Sequence, residues 1–537
     1  MKSSPLSIGL NMGHDGGCAI IHGEKVVAIA EERINRTRYS GGWQAALAYC
    51  LEAMDVRLSD ADAVVFSCVG PRLPAGFTGG LDRYGVDPKR IHTVDHHLAH
   101  AYSAFCTSGF DDALIVVADG AGNDRDTESC YLADGSGIEK VGGNRSERPR
   151  AGGIGATYEA FTNYLGFHEQ EAGKTMALAA FGDVDAYKVP LFELIGTQVE
   201  GVLEKTHERG LAEFASAAGL SLGPPHMIDD QPSMDLAAWV QAATEDILVR
   251  LVAELMSLHG RRRVCLAGGV AMNCVANHVV RRRTGADVYV VPPASDRGQA
   301  LGNAFYGMHR LTGTMPRHKL EADSFGRSYS SAEILLALRR HPRSMLAERH
   351  PRRRFSYERV SDPAATAAEL IADGKLIGWF QGGSELGARA LGQRSILADP
   401  RRVETRDALN GRIKHREWFR PFAPAVTVEH VADWFEIDHE SPFMLSAVPV
   451  LPQRRERLAG VTHVDGSARV QTVRADAHPT FHRLISRFGR LTGVPVVLNT
   501  SFNDREPIVE TPAHAVTTFG SSSLDAMVIG EYLVMPE

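Results

Sequence analysis

A chain of 537 residues is longer than one hydrophobic core usually serves, so more than one domain is expected. Its 44% hydrophobic and 23% charged residues are ordinary globular composition, and a net charge of −7 argues against a general nucleic-acid or membrane-surface binder. There is no apolar run of about 18 residues, and the cysteines (Cys18, Cys50, Cys68, Cys106, Cys130, Cys265, Cys274) are odd in number with no CxxC, which excludes a zinc ribbon and reads as reduced packing residues in a cytoplasmic protein.

Ser7–Asn11, Cys18–Ile21 and Val26–Ala30 read as three strands joined by tight turns. The first turn, Gly13-His14-Asp15-Gly16-Gly17, is glycine-rich, so backbone N–H groups there can approach a phosphate closely. Actin/sugar-kinase/Hsp70-type nucleotide folds open in this way. Turn geometry asks for Gly, Asn or Asp and never for imidazole, so His14 is either an exposed turn residue or a functional one.

Residues 43–58 read as a helix and Ala63–Ser67 as a strand. In Asp95-His96-His97-Leu98-Ala99-His100, an Asp95 cap would start a helix that sets His96 and His100 one turn apart on the same side. Two imidazoles so placed offer a grip for a transition metal, although the histidines of an HxxxH alone are more often capped or solvated than ligating. Two further apolar runs end in carboxylates, Leu114–Ala118 in Asp119 and Val288–Pro293 shortly before Asp296. Carboxylates at the exits of buried strands are where α/β proteins place their chemistry, so a His/His/Asp/Asp metal site is the working expectation. The Asp119–Asp124 loop, rich in glycine and carboxylates, is a second phosphate or metal loop on the same grounds.

Gly152–Tyr158 opens a helix, and Gly173-Lys174-Thr175 follows. No strand precedes the latter and the first Gly of GxxxxGK[ST] is missing, so it is not a P-loop; Lys174 meets a phosphate or solvent. Residues 235–259 read as a long amphipathic helix. Strand 263–267, then Gly268-Gly269 and a helix start at Asn273, suit a nucleotide, with Gly268, Gly269 and Asn273 as candidate contacts. Helix 297–311 follows Asp296. Hairpin-led and strand–Gly–helix units together suggest a duplicated, two-lobed α/β domain.

Residues 312–360, with Arg339-Arg340 and Arg352-Arg353-Arg354 among Pro and Ser, read as an inter-domain connection carrying a short helix at 332–339. A second domain begins near 355. There Arg389, Arg394, Lys414, Arg420 and Arg469 stand beside Gly, Pro or Ser, and with Asn499 and Ser501 they suit a pocket for a multiply charged phosphate; the alternative is surface ion pairing.

The strings NMGHDGG, DHHLAHAYSAF, EAGKTMALAAFG, LAGGVAMNCVAN, GWFQGGSELGARALGQRSILADPR, KHREWFRPFAP, HVDGSARVQTV and LNTSFN resemble the family of nodulation-protein and antibiotic O-carbamoyltransferases, nearly end to end. The resemblance implies an α/β chain in two parts. Residues 1–345 would be a two-lobed actin/Hsp70-like domain, similar to the universal tRNA threonylcarbamoyl-transfer protein. Residues 355–537 would be a YrdC-like α/β domain that forms carbamoyl adenylate from carbamoyl phosphate and ATP (as Mg-ATP), releasing phosphate and pyrophosphate. The first domain, usually with Fe(II) bound, would then pass the carbamoyl group to a hydroxyl of a small-molecule acceptor and release AMP. Zinc or manganese also suit the same ligands. By matching positions, His96, His100, Asp119 and Asp296 become the metal ligands and His14 the general base. Lys414, Arg420, Arg469, Asn499 and Ser501 fall at carbamoyl-phosphate and ATP positions, with Arg389 and Arg394 nearby. Residues 385–395 read ELGARALGQRS where family members often read EFGPRALGNRS; losing the proline loosens the turn and keeps both arginines.

Chemistry agrees with this reading. Carbamoyl phosphate is unstable and a poor donor to alcohols, and a reactive adenylate should be kept from water, which favours two activities in one chain. Threonylcarbamoyl transfer to tRNA is the runner-up, disfavoured by the acidic net charge; an Hsp70-like ATP-driven binding protein would not need the basic loops of the second domain. Neither nucleic acid nor membrane is expected as a partner, and acceptor and oligomeric state are not encoded legibly.

Overall fold

The computed structural model describes residues 4–145, 152–203, 205–340 and 354–537. The chain forms two compact units, one of residues 1–31 and 39–320, the other of 32–38 and 321–537. The division at Leu320/Glu321 falls within the stretch 312–360 where the composition changes. Position 345 and Arg352-Arg353 lie outside the described residues.

The first unit holds two five-stranded sheets of the same design. Strands β1 (Leu6–Asn11), β2 (Gly17–His22), β3 (Lys25–Ala30), β4 (Ala63–Ser67) and β5 (Ile91–Thr93) lie in the order β3-β2-β1-β4-β5. Strands β6 (Ala113–Ala118), β7 (Asp126–Ala133) and β8 (Ile138–Arg145) are followed by a ribbon of β9 (Phe192–Ile195) and β10 (Gln198–Gly201), then by β11 (Arg263–Ala267) and β12 (Asp287–Val290). The second sheet runs β12-β11-β6-β7-β8. In both, an antiparallel meander adds two parallel strands on its first strand: Ile8 pairs with Ile20 and Val64, and Ile115 with Tyr131 and Cys265. This is the duplicated α/β architecture anticipated from the hairpin and strand–Gly–helix pattern.

Five helices matter for the site: α1 (His96–Ser108), α2 (Ile154–Tyr164), α3 (Gln231–His259), α4 (Cys274–Thr284) and α5 (Gln299–Thr312). Helix α5 begins two residues later than read from the sequence, because Asp296–Gly298 forms a 3-10 turn. It is wedged between β1 and α1. A Cβ on Gly9 would lie 2.0 Å from the Ala300 carbonyl oxygen, and one on Gly302 only 1.9 Å from that of Ala99. Both glycines therefore set the approach of α5 to its neighbours. Helix α1 starts where Asp95 accepts a hydrogen bond from Leu98 N at 3.2 Å and ends at Gly109, whose φ is 76°. All its residues except Leu98 are buried.

The second unit is built on an eight-stranded mixed sheet, β13-β22-β21-β14-β15-β20-β16-β19. Its strands are β13 (Phe355–Arg359), β14 (Ile377–Phe380), β15 (Arg394–Ala398), β16 (Ala423–Thr427), β19 (Gln471–Val473), β20 (Val496–Ser501), β21 (Ala526–Ile529) and β22 (Tyr532–Pro536). Strands β17 (Ala447–Pro449) and β18 (Ser467–Arg469) pair separately. Its helices include α6 (Ser331–Arg340), α7 (Pro363–Ala372) and α8 (Pro479–Thr492). Helix α8 buries Phe481, Leu484, Ile485 and Phe488, an i, i+3, i+4, i+7 stripe. Helix α6, read from the sequence as part of a connection, buries Ile334 and Leu338 in this core.

Candidate functional site

The first site forms where the two sheets of the first unit send their strand exits toward the start of α1. Asp119 follows β6 directly, and Asp296 opens the turn before α5. Nε2 of His96 is 3.3 Å from Asp119 Oδ2 and 3.2 Å from Asp296 Oδ1; Nε2 of His100 is 3.1 and 3.3 Å from the same atoms. One donor atom from each residue lies within 4.8 Å of the others, and all four residues except the Asp119 side chain are essentially inaccessible. Two imidazole nitrogens and two carboxylate oxygens suit a divalent transition metal, and these spacings fit bonds of about 2.1 Å to one central ion.

Burial pushes the His96 imidazole down, but the carboxylates of Asp296 and Asp119 outweigh it and hold it up at about 10. His100 is raised in the same way. Burial likewise pushes the carboxyls up, and the two imidazoles overcome it, holding Asp119 well below and Asp296 below the usual carboxylate range. His97 faces elsewhere: its Nδ1 is 2.7 Å from Ser129 Oγ, and burial followed by the charge of His96 keeps it neutral.

The ligand candidates are held by neighbours that, apart from Gly269, were not singled out in the sequence. Asp119 Oδ1 accepts from Gly120 N (2.8 Å) and Gly269 N (3.1 Å), which leaves Oδ2 for the imidazoles. Asn123 Oδ1 accepts from His96 N (2.7 Å), and Gln299 Nε2 donates to His96 O (3.0 Å). Asn11 Nδ2 donates to Asp296 O at 3.1 Å. The signals were faint: an Asn closing β1, and an Asn in the Asp119–Asp124 loop. The glycine turn is fastened to the same place by the buried Asp15–Arg297 pair at 3.0 Å. His14 Nε2 lies 3.5 Å from Asp296 Oδ2, with its side chain 49% exposed. A half-open imidazole is thus set against the edge of the cluster.

The residues read as nucleotide contacts fare unevenly. Gly268 has φ 87°, and a Cβ there would lie 2.2 Å from Ala118 O, so it serves the packing of β11 on β6. Gly269 spends its N–H on Asp119. Asn273 caps α4, accepting from Ala276 N at 3.0 Å, and its amide donates to Gln241 Oε1 on α3. Lys174 is on a helix, Ala172–Leu178, ion-paired with Glu171 at 2.8 Å and over the Phe167 ring.

The second site lies in the C-terminal unit. Lys414 Nζ donates to Ser501 O (2.6 Å), Asn503 O (2.7 Å) and Asn503 Oδ1 (2.9 Å), and burial with the nearby Arg416 charge holds it well below the usual lysine range. Burial, then the charges of Arg420, Arg469 and Arg389, likewise lowers the Arg416 guanidinium, against Glu417. Arg389, Arg416, Arg420 and Arg469 therefore form one basic cluster, and Arg416 is the member the sequence reading left out. Asn499 Nδ2 donates to Ala390 O (3.1 Å) and Gln471 Oε1 (2.9 Å), so it shapes the loop beside Arg389. Ser501 Oγ donates to Asn503 Oδ1 at 2.7 Å. Arg394 is spent on the carbonyls of Gln381, Gly382, Gln393 and Glu510 and stacks on Phe380. It is a buried strut rather than a member of the cluster.

Comparison with known proteins gives the class. Residues 77–305 match the family model Carbamoyltransferase N-terminus, and 368–535 match Carbamoyltransferase C-terminus. The chain is 37% identical over 557 residues to Nodulation protein NolNO of Sinorhizobium fredii, an alignment covering 97% of this chain and 79% of that protein. It is 36% identical to Nodulation protein NolO of Bradyrhizobium diazoefficiens (82% and 78% covered) and 29% identical to the 3'-hydroxymethylcephem-O-carbamoyltransferase of Amycolatopsis lactamdurans (98% of each). The chain belongs to the carbamoyltransferase family. Among the described residues no helix is long and apolar enough to cross a membrane, and all seven cysteines are free thiols.

Proposed function

We propose that this chain is an ATP-dependent O-carbamoyltransferase that works in two steps, with a small-molecule hydroxyl as acceptor. The C-terminal unit makes carbamoyl adenylate from carbamoyl phosphate and ATP. Releasing both phosphate and pyrophosphate requires one water: it cleaves carbamoyl phosphate to carbamate and phosphate. A carbamate oxygen then attacks the α-phosphorus of ATP and expels pyrophosphate. The convergence of Arg389, Arg416, Arg420 and Arg469 beside Lys414 supports this half most directly, since so much positive charge, opposed by Glu417, suits a polyanion.

In the N-terminal unit the acceptor oxygen attacks the carbamoyl carbon, the bond to AMP breaks, and the hydroxyl proton leaves. His14 takes that proton, and Asp296 Oδ2, 3.5 Å from its Nε2, offers a negative charge to the imidazolium that forms. His96, His100, Asp119 and Asp296 would hold a divalent ion, iron by family likeness with zinc or manganese also suited, which when bound polarises a carbonyl or neutralises phosphate charge. The Asp15–Arg297 pair keeps the His14 turn against Asp296.

Two variants separate the steps. Arg469→Ala is expected to abolish pyrophosphate release from ATP plus carbamoyl phosphate. His14→Ala should still form adenylate but transfer it about 10²–10⁴-fold more slowly. Adenylate formation lost in His14→Ala and retained in Arg469→Ala would overturn the assignment of steps to units.

A further inference from the structure

Seven residues from the N-terminal part of the sequence, Glu32–Arg38, cluster with residues 321–537. They follow β3 and Glu31 in the chain and are separated from the rest of their unit by 282 residues of sequence, 39–320. Two of their three arginines grip backbone carbonyls. Arg33, whose side chain has no solvent exposure, donates from Nη2 to Gly387 O at 2.6 Å. Arg36 donates from Nη1 to Ile508 O at 2.7 Å and from Nη2 to Pro507 O at 2.6 Å.

Those carbonyls belong to the loop that carries Arg389 and to the loop whose Asn503 oxygens receive Lys414. Gly387 is two residues before Arg389, in a loop whose later part is also held by Asn499 on Ala390 O and Gln471 on Leu391 O. Asp323 Oδ2 accepts from Gly387 N at 2.8 Å, and Glu385 Oε1 accepts from Leu391 N and Gln393 N. Pro507 and Ile508 follow Asn503, whose carbonyl and amide oxygens receive the Lys414 ammonium; Asn503 Nδ2 closes the turn on Glu506 O at 2.7 Å. A guanidinium that donates to a carbonyl makes a charge-assisted bond, the stronger kind, and a buried one has no competing water.

We propose that Arg33 and Arg36 are positioning residues for the anion site of the C-terminal unit, a strap from the N-terminal sequence that fixes the Arg389 loop through Gly387 and the Lys414-binding loop through Pro507 and Ile508. The strap touches no substrate and acts by holding Arg389 and the Lys414 partners in place. It follows that residues 321–537 by themselves lack a part of their own site. The anion half of this proposal rests on the function proposed above; the strap itself does not.

The test uses the full chain with Arg33→Met, Arg36→Met and Arg33→Lys, which keeps one donor for Gly387. Hydrogen–deuterium exchange is followed on peptides covering 384–393 and 502–510, and inorganic pyrophosphate binding is measured by calorimetry. Arg33→Met is expected to raise exchange in 384–393 alone and Arg36→Met in 502–510 alone. Each should weaken pyrophosphate binding at least about tenfold, since Arg33→Met loses one charge-assisted hydrogen bond and Arg36→Met two, with Arg33→Lys near wild type. A variant that merely loosens the fold would raise exchange throughout and would not be rescued by lysine. Unchanged exchange in both loops, unchanged pyrophosphate affinity, or no pyrophosphate binding by the wild-type chain overturns the proposal. Wild type that binds pyrophosphate yet makes none from ATP and carbamoyl phosphate overturns the donor reaction and leaves the strap standing.

Discussion

Replacing Asp119 by Asn isolates what the four-residue cluster is for. The amide keeps an oxygen where Oδ1 accepts from Gly120 N and Gly269 N, so the strand exit stays in place. It puts an NH2 group where Oδ2 lies 3.1 and 3.3 Å from the two imidazole nitrogens. The donor set falls from four to three and loses one of two negative charges. Loss of a group that only supports a ligand costs roughly 10–100-fold in metal affinity, so loss of the ligand itself should cost at least about a hundredfold. Metal content after dialysis and calorimetric titration with Mn(II) or Fe(II) measure this directly. Pyrophosphate release from ATP and carbamoyl phosphate should stay within about twofold of wild type, because that step is assigned to the other unit. An Asp119→Asn protein that keeps full metal occupancy with an affinity within about threefold of wild type would refute the ligand assignment.

Three further outcomes are expected. Lys414→Met strands the oxygens of Ser501 and Asn503 without their donor, and urea unfolding should show a loss of about 2–5 kcal/mol along with loss of adenylate formation; a loss under about 1 kcal/mol would contradict the buried geometry. Gly302→Ala places a Cβ 1.9 Å from Ala99 O, so a thermal melt should show at least about 2 kcal/mol of destabilisation, and displacement of α1 should reduce metal content too. Burial lowers the His478 imidazole to about 4. Both states are neutral above pH 6.5, and below it the unfolded chain binds the proton first, so stability is lost as pH falls from about 6.5 to about 4, by about 3 kcal/mol for this group. His478→Asn should flatten that part of the urea-midpoint profile, and an unchanged slope would contradict it.

What the sequence disclosed was mostly local. The Asp95 cap and the four-residue spacing place His96 and His100 together because a helix imposes that geometry on any chain. Asp119 and Asp296 were legible as polar residues ending apolar strands. The two-lobed plan followed from a repeated order of hairpin and strand–Gly–helix units. Contacts between distant stretches were not legible. Nothing near Arg33 announces Gly387 as its partner, and nothing in Gly268-Gly269 distinguishes an N–H for phosphate from one for Asp119. Arg394 and Arg389 share the same glycine-rich context, yet one is a buried strut on four carbonyls and the other stands beside Arg416. The basic, Pro-containing stretch after residue 312 looked like a connection because its one short helix is flanked by Arg- and Pro-rich sequence; the burial of Ile334 and Leu338 depends on a core formed by strands elsewhere in the chain.

The most direct test of the account incubates purified, metal-loaded protein with ATP and ¹³C-carbamoyl phosphate, without acceptor, and looks for labelled carbamoyl adenylate by mass spectrometry beside pyrophosphate release. The account predicts adenylate that requires carbamoyl phosphate and disappears in Arg469→Ala. ATP turnover indifferent to carbamoyl phosphate, or no pyrophosphate at all from metal-loaded protein, would contradict it.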